Sequence, residues 1–168
     1  MFTGIQRPLF LSKLKNGSVS NMAVDASGAA QTFKIAPESN HILRITNWSI
    51  FIQDSKGFNV NYLGSTGALT NGLMPKLKVN GVTTSMFEEG IKSNADIAAI
   101  TYDMQLHDFG SGSADDVLVA QIHFERDLLQ CIRLDGSQGA ELQVEVSDDL
   151  SGLSRVEVMA QGYYEKWI

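Results

Sequence analysis

The sequence has one cysteine, three prolines and no long apolar run. With Cys131 alone, no disulfide can form within the chain, so stability must come from packing or from assembly with other chains. We read that residue as a buried structural thiol. Few prolines beside 15 glycines point to turns that use positive φ rather than a ring-fixed φ, as in a β protein with many short connections. A composition of 43% hydrophobic and 19% charged residues, with mean hydropathy near zero, excludes both a disordered chain and a membrane-spanning one. The net charge of −6 argues against a general nucleic-acid binder, whose affinity comes from neutralising phosphates. Met1 to Leu14 carry no charged stretch leading into a long apolar one, so neither a secretory signal nor an anchor is expected and synthesis in a cytoplasm is. At 168 residues we expect a single domain over 1–168, with 1–15 as an N-terminal arm.

The charge is uneven. Residues 1–50 hold Arg7, Lys13, Lys15, Lys34 and Arg44 against Asp25 and Glu38, a net of +3, and the rest of the chain carries −9. A basic N-terminal part can seat on an acidic neighbour, another copy of the chain included, which makes Arg7, Lys13 and Lys15 candidate partner-binding residues.

What is present is alternation of period two, the mark of half-buried strands. Leu43 and Ile45 share one face, and Trp48, Ile50 and Ile52 continue one step out of phase, which predicts a β-bulge near Thr46 and Asn47. Leu77 and Val79 lead through Asn80-Gly81 to Val82 and Thr84, the pattern of a type I′ hairpin. Strands are also predicted over Ile100 to Leu106, Leu118 to Phe124, Leu142 to Val146 and Val156 to Gly162, with shorter ones at Leu9–Leu14, Ser18–Val24 and Gln31–Ile35. A short helix is expected within Met86 to Ile97, starting near Glu88-Glu89, and a long surface loop over 57–72. No helix alternates with strands, so the expected fold is all-β: an antiparallel β-sandwich, a jelly roll of eight or so strands.

Chemistry-bearing residues are dispersed. His41, His107 and His123 lie on separate strands without metal-ligand spacing, although strands can gather distant residues, as at a cupin-like metal site. Asp115-Asp116 and Asp148-Asp149 lack a calcium-loop pattern and read as closers of Asx turns. Neither a G-x-S-x-G elbow nor a phosphate-binding loop occurs. We therefore expect no enzyme, no cofactor and no metal. Tyr163, Tyr164 and Trp167 crowd the C-terminus, where aromatics pack against the body or a neighbouring subunit, and they join the candidate partner-binding residues.

Four phrases carry a family resemblance: Leu69-Thr70-Asn71-Gly72, then Ile91-Lys92-Ser93-Asn94-Ala95-Asp96 with Tyr102-Asp103, then Ile132-Arg133-Leu134-Asp135-Gly136-Ser137, then Gln161-Gly162-Tyr163-Tyr164-Glu165. From about residue 40 onward the chain resembles small jelly-roll virion proteins of tailed bacteriophages, the head decoration or cement type. The resemblance implies a protein made in the host cytoplasm and placed on the capsid surface of the virion. It would bind major capsid subunits, usually as a homo-oligomer, a trimer in particular. Two alternatives stand beside it: a tail, collar or connector component, and a carbohydrate-binding module for host attachment that uses loop 57–72 and the C-terminal aromatics.

Overall fold

The computed structural model describes residues 8–12, 14–15, 21–54, 59–64, 66–101, 103–107, 116–123 and 131–166. In chain order the elements are β1 (Pro8–Ser12), β2 (Leu14–Lys15), β3 (Gln31–Ile35), β4 (His41–Asp54), β5 (Leu73–Val79), β6 (Val82–Ser85), α1 (Asn94–Ile100), β7 (Asp103–His107), β8 (Asp116–His123), β9 (Ile132–Asp135), β10 (Glu141–Val146) and β11 (Arg155–Lys166). They form two antiparallel sheets, one ordered β1-β11-β4-β8-β7 with β9 also on β4, the other β2-β3-β10-β5-β6. The β-sandwich expected from the alternation is present.

Alternation sets the core. Leu118, Ala120 and Ile122 of β8, Leu142, Val144 and Val146 of β10, and Val156, Val158 and Ala160 of β11 are buried every second residue. Between the sheets they meet Trp48, Phe33, Leu43, Ile45, Ile50 and Ile52. The expected bulge lies at Thr46: Asn47 pairs with Gln161 and Ile45 with Gly162, so Thr46 is the extra residue on β4. The Thr46 hydroxyl donates to the Gln161 carbonyl at 3.3 Å. The β4 backbone is thereby pushed over Gly162, where a Cβ would lie 1.9 Å from the Arg44 carbonyl oxygen. The Asn80-Gly81 hairpin is also as expected, with φ of 50° and 79° at its two turn residues.

Other elements depart from expectation. The helix starts after Gly90 rather than at Glu88-Glu89, because Ile91 is bridged to Leu73 and Gly90 presses on the Asn71 carbonyl, which leaves residues 86–92 as a strap on β5. Ser93 caps the helix instead: its hydroxyl accepts from Asp96 N, and the Asp96 carboxylate accepts from Ser93 N at 2.9 Å and Lys92 N at 2.8 Å. Ile100 therefore ends α1, and the following strand begins at Asp103. Of the predicted strand Ser18–Val24, residues 18–20 lie outside the described residues and 21–24 are not strand, although Met22 donates from its backbone to Val156 and is fully buried.

β5 runs through Pro75, and that residue masked its first half in the sequence. The Pro75 carbonyl accepts from Met86 N, so its missing N–H faces the β6 side, where the ladder has already ended at Lys76–Ser85. The ladder to β10 loses nothing.

Three Asp-x-Ser triplets close turns identically: Asp25, Asp135 and Asp149 each accept from the serine two residues on, through its N–H at 3.0, 3.0 and 2.9 Å and its hydroxyl at 2.6, 2.7 and 2.6 Å. The Ser27 and Ser137 hydroxyls hold the Asp25 and Asp135 carboxyls below their ordinary range, the backbone bonds adding to this and, at Asp135, the Arg133 guanidinium. A carboxyl depressed in the folded state contributes stability above its unfolded pKa, about 3.9, and loses that contribution as pH falls through the lower folded value. Urea midpoints are therefore expected to drop below about pH 4, and Asp135→Asn, which keeps the turn acceptor without the titration, is expected to flatten that acid limb.

Asp148 acts differently from its neighbour. Its carboxylate reaches across to accept from the backbone N–H groups of Thr70, Asn71 and Gly72 at 3.0, 3.0 and 2.8 Å, tying the end of loop 57–72 to β10. Asp148→Ala is expected to lower stability by roughly 1–3 kcal/mol, since three donors lose a charged acceptor together. Chemical denaturation compared with Asp148→Asn, which keeps one acceptor oxygen, measures it.

Candidate protein interface

The two sheets present outer faces of opposite chemistry. On the five-stranded sheet, register sets Lys34 and Lys76 on either side of Gln143, and Glu141 beside Lys78. Ion pairs cross it: Lys34–Glu141 at 3.4 Å, Lys78–Glu141 at 3.7 Å and Lys76–Glu145 at 2.8 Å. Burial pushes the Glu141 carboxyl up, but the Gln143 hydrogen bond and the charges of Lys34 and Lys78 outweigh it and hold the group below its usual range. This face is a closed lattice of paired charges, suited to water.

The outer face of the six-stranded sheet divides at the Thr46 bulge. On one side Phe51 pairs with Val119, Ser49 with Gln121 and Met159, and Gln53 with Val117. Residues directly opposite share a face, so Phe51, Val117, Val119 and Met159 form one half-buried apolar patch. Its charges are the pair Arg155–Glu157 at 2.9 Å, with the guanidinium over the Phe51 ring at 5.3 Å. Beyond the bulge the face is charged: Arg44 meets Glu165 at 2.6 Å and Arg133 meets Asp135 at 3.0 Å, which offsets the cross-strand Arg44–Arg133 pairing.

A hydrogen-bonded row marks the boundary. Asn47 Nδ2 donates to Gln161 Oε1 at 3.1 Å, Asn47 Oδ1 lies 3.0 Å from His123 Nδ1, and His123 Nε2 lies 3.1 Å from Asp103 Oδ2. It spans β11, β4, β8 and β7, and it fixes the side chains at one level of the sheet. The interruption between β8 and β9, which both pair with β4, falls at this same level.

An open groove of about 340 Å³ borders the charged face, with Met74 and Gly90 in its lining. The pairs Lys76–Glu145 and Lys92–Glu89, 2.8 and 2.9 Å, also line it, so its charged groups already neutralise one another. Among the described residues no group of three or more His, Cys, Asp or Glu is placed to hold a metal ion. Neither a family model nor a curated protein nor a solved structure matches the chain.

Of the residues singled out from sequence, Arg7, Lys13 and Trp167 lie outside the described residues, and Lys15 is paired through its backbone with Phe33 in β2. The pleat separates the two tyrosines. Tyr163 pairs with Arg44 on the outer face. Tyr164 pairs with Leu43 on the core side, where its ring meets His41 edge-on at 5.5 Å and burial raises its phenol pKa. Neighbours on β11, they point to opposite faces of the sheet. Sequence reading missed the apolar outer patch, because Phe51 and Val119 become neighbours only through register. Val60 and Tyr62 are exposed in the long loop expected at the surface, but Leu63 and Leu69 of the same loop are buried in the core.

Proposed function

We propose that this chain is a non-enzymatic structural protein of a phage virion, of the head decoration type. It docks on major capsid subunits and holds neighbouring ones together. The observation that carries this reading is the chemical contrast of the two outer faces: one crossed by three ion pairs, the other offering Phe51, Val117, Val119 and Met159, with Arg155–Glu157 as a single pair that neutralises itself against Phe51. Apolar and aromatic side chains with few net charges are what mark interface cores. The jelly-roll form of the resemblance draws support from strand order: β1 pairs with β11, β3 with β10, β4 with β8 and β5 with β6, the nesting of one long hairpin rolled over two sheets.

Binding across a joint stabilises the assembled state by mass action, so particles lacking the chain are expected to open at lower temperature than complete ones. Val119→Glu places a charge in the apolar patch and is expected to weaken docking roughly 30-fold, about 2 kcal/mol. Thr83→Glu, on the exposed β6, is expected to leave occupancy unchanged. Equal occupancy for both variants would remove this face from the account.

A further inference from the structure

Among the described residues the six-stranded sheet ends on β7, and the strand's own sequence carries little edge protection. Its five residues, Asp103-Met104-Gln105-Leu106-His107, include no proline, lysine or arginine, whereas the opposite edge strand opens on Pro8. Met104 pairs with Ala120 and Leu106 with Leu118, which puts both on the core-side face. Yet Met104 is 43% and Leu106 52% exposed, against 1% and 2% for the partners they align with. The core-side row thus runs past the shelter of the second sheet, and among the described residues no strand pairs with the outer edge of β7.

We propose that β7 pairs antiparallel with β7 of a second copy, about a twofold axis through Gln105. A twofold axis perpendicular to the sheet keeps each face on its own side, so core-side residues must meet core-side residues. Centred on Gln105, the ladder sets Met104 against the second copy's Leu106 on the core side. Centring on Met104 or Leu106 instead leaves three paired positions within the strand rather than five. The favoured register is isologous: apolar side chains meet apolar ones, and all five positions of the strand are paired. The contact is twofold, where the resemblance implies a trimer, and it requires no capsid.

Sedimentation of the purified full chain tests this apart from any particle. A dimer is expected, and Leu106→Lys, at a half-exposed position, is expected to raise its dissociation constant at least tenfold by placing a charge in the contact. In a Cys131→Ser background, Gln105→Cys brings two thiols together at the axis and is expected to give a covalent dimer on mild oxidation, whereas Val82→Cys on the β6 edge is not. A chain that stays monomeric or forms a trimer overturns the proposal, as does a dimer indifferent to Leu106→Lys. A monomer in solution whose docking on particles depends on Leu106 also overturns it, and assigns the edge to the capsid subunit.

Discussion

Gly162→Ala is expected to destabilise the fold by roughly 3 kcal/mol or more, because the new methyl would overlap main chain rather than a side chain that can rotate away. The built Cβ falls 1.9 Å from the Arg44 carbonyl oxygen and 3.0 Å from Ile45 Cα. Relief requires β4 to lift from β11 just where Thr46 adds a residue, and that junction holds the register on both sides. Gly28→Ala is the control: its methyl meets nothing within 4 Å, so its effect is expected within about 0.5 kcal/mol. Urea unfolding of the two variants measures the difference, and equal midpoints would show that the bulge is not built on Gly162.

Trp48→Ala is expected to cost about 3–5 kcal/mol, the range for removing a large aromatic from a packed core. Trp48 is 2% exposed and packs at the centre of the sandwich, where β4 passes between β8 and β11. Its indole Nε1–H is buried without a hydrogen-bond partner, and an unmade bond of this kind carries a penalty of roughly 1–3 kcal/mol. Trp48→Phe loses volume but also sheds that donor, so its loss is expected to stay below about 1.5 kcal/mol. Denaturation of both variants separates the two contributions. A phenylalanine variant as unstable as the alanine one would show that indole shape, rather than apolar filling, sets the core.

Where structure follows from neighbours in sequence, it was legible. The Asn80-Gly81 turn, the phase slip at Thr46, the strand Gln31–Ile35 and the alternation of β10 all rest on local geometry. The capping box at Ser93 and Asp96 was equally local, but the acidic pair at Glu88-Glu89 drew the helix start away from it, and the real constraint on that segment is a contact with Asn71. β9 escaped notice because its four residues continue the line of β8 along β4 only after an interruption. The face chemistry was hidden for a different reason. Lys34 and Glu141 are 107 residues apart, so register alone makes them an ion pair. The same holds for the apolar patch, built from β4, β8 and β11. A net charge of −6 says nothing of which face carries it.

On this reading the surface has three regions with separate roles, namely a water-facing lattice, an apolar patch for the capsid subunit and the β7 edge for a second copy. The most direct test of the capsid reading is the number of chains per particle, measured by quantitative mass spectrometry of purified virions against the major capsid protein. The account predicts a ratio near one, or a simple fraction of it. A handful of copies per particle would move the chain to the tail or connector, and absence from virions would contradict the account.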